Sequence, residues 1–113
     1  MRKTDKKTDK MLREALTEVC DAAQTGFDGF EWLTHFADYN RFPDSLIVVC
    51  VYATNAQLAG TDRAGICLLI KDGLESISIN IKDIHRHVVF DTEENCTNEN
   101  DGKWRERFRQ SAR

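Results

Sequence analysis

The sequence has no long hydrophobic run. Its longest, residues 46–53, contains eight apolar residues, whereas a membrane-spanning helix needs about twenty. The first residues are charged rather than apolar, so we also expect no secretory signal peptide. Together these absences predict a cytoplasmic protein with no membrane contact.

Sequence motifs of several large enzyme classes are also missing. The chain contains no Gly-rich phosphate loop, no Gly-x-Ser-x-Gly nucleophile elbow and no His-Glu-x-x-His zinc helix. Its four cysteines form no Cys-x-x-Cys pair, so a structural zinc site is not expected. In a reducing compartment we expect the four thiols to be free. These features favour a non-enzymatic protein without a cofactor.

The length and composition of the chain are those of one folded domain. Of 113 residues, 41% are hydrophobic and 31% are charged, which excludes disordered and fibrous classes. Residues 1–10 carry five basic side chains against two acidic ones, and residues 103–113 carry five against one. Because the net charge is −3, the centre of the chain is acidic. We expect residues 1–8 to form a flexible basic tail at the N-terminus.

Hydrophobic periodicity predicts a helix and two strands in the first half of the chain. Apolar residues recur at three- and four-residue steps over residues 9–24, the spacing of one helical face. Residues 30–38 alternate as a strand does, and residues 46–52 are apolar on both faces, as in a buried central strand. The segment 40–45 contains the only proline and is typical of a turn. We expect an antiparallel hairpin with the helix packed across its second strand.

The next segment favours two further helices. Thr54 is suited to cap a short helix, and Asp62 to cap a longer one with a single apolar face. Gly73 lies inside that longer helix, where it either lowers helix stability or allows close approach of another backbone. The pattern of residues 77–81 fits either a helix or a strand.

The last third predicts one more strand and a closing helix. Residues 84–91 alternate as a strand does, residues 92–101 are a polar loop, and residues 103–110 fit a short helix. The order helix-strand-strand-helix-strand-helix predicts a single small α/β or α+β domain. Its sheet should have three to four strands, mixed in direction and packed with helices.

Acidic and histidine side chains lie together near the end of the third predicted strand. Asp91 and Glu93 would point to the same side if the strand continued, and such carboxylates can hold Mg²⁺. His85 and His87, two residues apart, could reach the same metal ion. With Asp38, these residues define one alternative function, a divalent-metal phosphodiesterase.

Basic side chains at both ends of the chain define a second alternative, a nucleic-acid-binding regulatory protein. The segment 103–109 alternates basic and aromatic residues, which can neutralise phosphates and stack on bases. On a helix, however, Trp104 and Phe108 would face the core, and this interpretation is favoured. If the two ends meet on one face, the candidate nucleic-acid-binding residues are Lys3, Lys6, Lys7, Lys103, Arg105 and Arg109.

Three segments of the first half resemble a known group of proteins. Residues 14–20, 29–35 and 40–46, the last running into 48–51, are similar to a family of short uncharacterised gamma-proteobacterial proteins. Members of that family are sometimes labelled Fis-type transcriptional regulators. The label implies a helix-turn-helix near the C-terminus.

The leading hypothesis is an interaction module that associates with itself. The first predicted strand is rich in aromatic residues, including Phe30, Trp32 and Phe36. Such a strand can supply a sheet edge or an apolar patch for a second copy of the chain. We therefore expect a homodimer.

Overall fold

A three-stranded mixed sheet with helices on both faces forms this α+β domain. The computed structural model describes residues 2–111. In chain order its elements are α1 (Lys3–Gly26), β1 (Phe30–Phe36), β2 (Ile47–Tyr52), α2 (Asn55–Ala59), α3 (Arg63–Glu75), β3 (Val88–Thr92), α4 (Glu93–Asn100) and α5 (Trp104–Ser111). The predicted fold class and order of elements are confirmed. Within the described residues, no helix is both long enough and apolar enough to cross a membrane.

The central strand is β2, as the sequence predicts. It pairs antiparallel with β1 from Phe36↔Ile47 to Phe30↔Tyr52, and parallel with β3, to which it is connected through α2 and α3. Every residue of β2 after Ile47 is buried. A strand covered on both faces needs apolar side chains at successive positions, which explains its continuous apolar sequence.

Two helices cover one side of the sheet, which we call the inner face. From α1, Leu12 and Leu16 are buried in the same cluster as Ile66 and Ile70 of α3 and Val48 of β2. Burial of each such side chain stabilises the fold by about 1.5 to 3 kcal/mol. The predicted packing of the first helix over the central strand is confirmed.

A β-bulge in β1 separates its aromatic residues between the two faces of the sheet. The register shifts between Phe30 and Trp32, so Phe30 packs inward on Tyr52 with ring centroids 5.4 Å apart. Trp32 and Phe36 then point to the opposite side, which we call the outer face. Strict alternation over residues 30–36 would put all three rings on one face, and the extra residue at the bulge prevents this.

The N-terminal segment 1–8 is not a tail over its described part, because α1 begins at Lys3. Residues 3–8 contain neither proline nor glycine. Extending a helix from a segment already anchored by packing costs little compared with nucleating one. The side chain of Arg2 also reaches Asp5 at 3.3 Å within the first turn.

The predicted polar loop at 92–101 is also wrong, because this segment contains helix α4. The Oγ1 atom of Thr92 accepts a hydrogen bond from the backbone N–H of Asn95 at 3.0 Å, which caps the helix. Glu93 and Glu94 place negative charge in the first turn. Asp101 ends the helix in a left-handed conformation, with φ 52°.

The segment 77–81 adopts neither of the two structures left open by the sequence. It is a turn, with Ser78 at φ 65°, followed by three residues that belong to neither a helix nor a strand. The first part of the predicted third strand is a 3-10 turn, Ile84–His87, and β3 begins only at Val88. Val88 is where the pairing with Val48 of β2 starts, so strand geometry begins where a partner is present.

Candidate functional site

The C-terminal helix packs on the outer face of the sheet through its aromatic residues. The Trp104 ring lies edge-on to Trp32 at 4.9 Å, and the Phe108 ring lies edge-on to Phe36 at 5.1 Å. The preferred interpretation of this segment, an amphipathic helix with its aromatic side turned inward, is confirmed. Arg105 on the other side of the helix is exposed.

Arg107 fixes α5 to the end of β3. Its Nε atom donates to Asp91 Oδ2 at 2.6 Å and its Nη2 atom donates to Asp91 Oδ1 at 3.0 Å, a bidentate ion pair. Its Nη1 atom donates to Glu99 and Asn100 of α4. Donation of two hydrogen bonds to Asp91 raises the pKa of the Arg107 guanidinium. Both partners are largely buried, with side-chain exposures of 15% and 18%.

This ion pair involves Asp91, the carboxylate on which the metal hypothesis mainly depends. Both oxygens of Asp91 accept hydrogen bonds from Arg107, and an oxygen of Glu93 accepts one from the indole N–H of Trp104. Asp38 accepts a hydrogen bond from the backbone N–H of Asn40, beyond the opposite end of the sheet from Asp91. These three carboxylates therefore do not converge.

The histidine half of the metal hypothesis is also corrected. His85 and His87 lie in a 3-10 turn rather than on one face of a strand. The Nδ1 atom of His87 lies 2.7 Å from the carbonyl oxygen of Leu46, whereas His85 is exposed. Over residues 2–111, no group of three or more His, Cys, Asp or Glu side chains is placed to hold a metal ion.

The two basic segments belong to helices that pack on opposite faces of the sheet. The start of α1 is held by Asp9, whose Oδ1 atom accepts a hydrogen bond from Tyr39 at 2.6 Å. The end of α5 contacts Phe36 from the outer face. The packing of α1 and α5 on opposite faces therefore does not favour the condition that the two ends meet on one face. All six candidates are exposed: Lys3, Lys6, Lys7, Lys103, Arg105 and Arg109.

A groove between α1 and β1 contains a residue pair that the sequence did not indicate. Cys20 and His35 both line it, together with Arg13. Burial raises the pKa of the Cys20 thiol, which keeps the sulfur protonated. A catalytic cysteine needs the opposite shift, because the thiolate is the nucleophile. The distance between Cys20 and His35 along the chain hid this groove from spacing arguments.

A group of exposed and partly exposed apolar side chains lies on the outer face of the sheet. Helix α5 covers the row of the sheet at Trp32 and Val51, but Phe36 and Val89 are each 46% exposed. Half-buried Ile47 pairs with Phe36, and Phe108 borders them. We call these four residues, Phe36, Ile47, Val89 and Phe108, the outer patch. Exposed apolar surface of this kind is typical of a binding surface.

Comparison of the chain with protein-family models, with curated proteins and with solved structures finds no match.

Proposed function

We propose that this protein is a non-enzymatic interaction module that forms a homodimer through its outer patch. The observation that carries the proposal is the exposure of Phe36 and Val89 on a sheet face that α5 covers only in part. A second copy would complete that layer. Two sheets packed face to face form a stable sandwich about 10 Å thick.

The composition of the patch supports the same conclusion. Aromatic side chains are enriched at the centres of protein interfaces, where they fill pockets and exclude water. Phe36 and Phe108 are rigid rings that contact each other, and Phe108 also contacts Trp32. Such preorganised groups lose little conformational entropy on binding.

Sedimentation velocity of three proteins tests the proposal. The unaltered chain should sediment as a dimer and Val89→Lys as a monomer, because a lysine at the centre of an apolar interface would be desolvated. Leu68→Lys is the matched control, since Leu68 is 58% exposed on α3, on the inner side of the sheet. This control should remain dimeric. A monomeric unaltered chain, or a dimeric Val89→Lys variant, would contradict the proposal.

Nucleic-acid binding is a second candidate, favoured by the geometry of α4 and α5. The two helices are consecutive and joined by the short turn 101–103, a connection like that of a helix-turn-helix. Arg105 and Arg109 are exposed on the second helix. The test is duplex DNA binding at low ionic strength by the unaltered chain and by Arg105→Glu/Arg109→Glu. Binding that is absent, or equal in both proteins, removes this candidate.

A further inference from the structure

The exposed face of α1 has an ordered charge pattern. Burial of Leu12, Leu16 and Val19 fixes which side of the helix faces the core. The opposite side carries only basic charge near the start of the helix and only acidic charge farther along. In chain order, the exposed charged residues of this face are Lys3, Lys6, Lys7, Lys10, Glu14, Glu18 and Asp21. We call this surface the α1 stripe.

The acidic residues near the start of α1 lie off this stripe and are already engaged. Asp5 contacts Arg2 at 3.3 Å. Asp9 accepts hydrogen bonds from Tyr39 at 2.6 Å and from Arg13 at 2.9 Å. The lysines of the stripe are therefore not neutralised by these two carboxylates.

The order of charges in the stripe is unfavourable for the helix itself. A helix N-terminus carries partial positive charge and stabilises acidic groups, whereas its C-terminus stabilises basic groups. In α1 the lysines are at the N-terminal end, the last turn has no basic residue, and Arg2 provides no side-chain cap. A local arrangement that lowers helix stability is expected where another interaction compensates for it.

We propose that the α1 stripe packs antiparallel against the α1 stripe of a second copy of the chain. In that arrangement Lys3 faces Asp21, Lys7 faces Glu18 and Lys10 faces Glu14, and two-fold symmetry forms each pair twice. The sequence numbers of the pairs have nearly the same sum, and the two members of each pair lie within about 40° of each other around the helix axis, so one alignment satisfies all three. The helix dipoles are also antiparallel, which adds to the attraction.

Met11 gives this contact an apolar centre. It lies beside the middle of the stripe and is 39% exposed. The two copies of Met11 approach each other near the symmetry axis, where its flexible side chain can adapt to the facing surface. The contact is distinct from the outer patch, which lies on the other side of the sheet.

The α1 contact is weak and sensitive to salt. Ion pairs between exposed side chains contribute little individually and are screened at distances beyond about 8 to 10 Å in physiological salt. The contact is therefore expected at high protein concentration and low ionic strength. It adds a second association step to the proposed homodimer. It can form whether or not the outer patch mediates a dimer.

Carbodiimide coupling followed by mass spectrometry tests the contact directly, because it joins a lysine to a carboxylate only when the two touch. Along one helix the backbones at Lys7 and Glu18 are about 16 Å apart, too far for a bond within one chain. A Lys7–Glu18 or Lys3–Asp21 product therefore reports two chains. When unlabelled chains are mixed with chains labelled with heavy nitrogen, some cross-linked products should contain one chain of each kind. The yield of these mixed-isotope products should decrease with added salt.

Charge reversal supplies the decisive controls. In Lys7→Glu the new carboxylate faces Glu18 of the other copy in both symmetry-related contacts, and in Glu18→Lys the new amine faces Lys7 in both. The yield of the Lys3–Asp21 product should fall about tenfold in either variant alone. An equal mixture of the two variants should restore it, because the mixed pair has only opposite charges in contact. Lys82→Glu, an exposed reversal outside α1, should leave the yield unchanged.

Two results would overturn the inference. One is the absence of mixed-isotope Lys3–Asp21 product, and the other is a failure of the mixture to restore it. If the lysines instead bind nucleic acid, Lys7→Glu weakens that binding, Glu18→Lys strengthens it, and mixing restores nothing. The Val89→Lys variant separates this contact from the outer patch, since it should still give the Lys3–Asp21 product at high protein concentration although it sediments as a monomer in dilute solution.

Discussion

Arg107 links three parts of the molecule through one side chain. It reaches Asp91 at the end of β3 and Glu99 and Asn100 of α4, while its own helix packs on β1. A bidentate guanidinium pair satisfies both carboxylate oxygens in a fixed plane. The position of α5 on the outer face is therefore specified by a polar contact as well as by its aromatic rings.

Replacing Arg107 with methionine should lower the free energy of unfolding by about 2 to 3 kcal/mol, because the largely buried Asp91 carboxylate loses its charged partner. Urea denaturation gives this value. Arg105→Met, on the exposed side of the same helix, should change stability by less than about 0.5 kcal/mol. Equal effects of the two substitutions would mean that the ion pair contributes nothing to stability.

Asp9 is expected to make the stability of the protein depend on pH in the acid range. The hydrogen bond from Tyr39 lowers the pKa of Asp9 below its ordinary value of 3.8, with further lowering by Arg13 and His35, against desolvation. Because the pKa of Asp9 is lower in the folded state, its carboxylate contributes its full stabilisation of the fold at pH values above the ordinary pKa. This stabilisation is lost as the pH falls through the lower, folded-state pKa.

At pH 6 the Asp9→Asn variant should therefore be less stable than the unaltered chain, by about 1 to 2 kcal/mol. This difference should disappear as the pH falls towards 2, where the aspartic acid is also neutral. Chemical denaturation at a series of pH values measures it. Tyr39→Phe removes the largest cause of the shift and should weaken the pH dependence. Parallel pH profiles for the unaltered chain and Asp9→Asn would contradict the assignment.

The sequence was least informative about which side chains contact each other. Asp91 and Glu93 were identified as an acidic pair at a strand end, which is correct as a placement. Their partners, Arg107 and Trp104, come from a helix that follows in the chain, and only the packing of α5 shows that these carboxylates are occupied. Spacing alone cannot distinguish a metal ligand from one half of an ion pair.

At the scale of elements, the close packing of α1 against α3 requires Gly73. A β-carbon at this position would lie 2.5 Å from Val19 Cγ2. Because the valine side chain is branched and stiff, it has little freedom to move away. The sequence left two explanations for this glycine open, and the structure selects close approach of the two helices.

Gly73→Ala should therefore destabilise the protein by about 1 to 2 kcal/mol, although alanine favours a helix by about 1 kcal/mol. In a thermal or urea double-mutant cycle, Val19→Ala should offset most of this loss and give a coupling energy of at least about 1 kcal/mol. Gly26→Ala is the control, since a β-carbon there meets nothing within 4 Å. Stabilisation by Gly73→Ala alone would refute the packing explanation.

Helix caps account for both the successes and the failures of prediction at this scale. Thr54 and Asp62 cap α2 and α3 as expected, each accepting a backbone hydrogen bond. Thr92 caps α4 in the same way, but the polar composition of the following residues suggested a loop. Helix α4 has little apolar character, and buried Cys96 is held by the tertiary structure around it. Periodicity cannot reveal a helix of this kind.

At the scale of the whole molecule, the sequence was sufficient for the order of elements and for the central position of β2. A run of β-branched residues has few other stable locations than a strand covered on both faces. The division of aromatic residues between the inner and outer faces was not predictable, because it depends on a single bulge in β1. That bulge is what places Phe36 in the outer patch instead of the core.

Burial of the outer patch in a dimer would connect the stability of the fold to protein concentration. If folded chains associate and unfolded chains do not, the unfolding temperature rises with protein concentration. For a domain of this size, a tenfold increase should raise the midpoint by about 3 to 5 °C, measured by calorimetry over two decades of concentration. Val89→Lys should remove the dependence, while Leu68→Lys should preserve it. A midpoint independent of concentration in the unaltered chain would show that folding is complete without a partner and that the exposed face is stable in water.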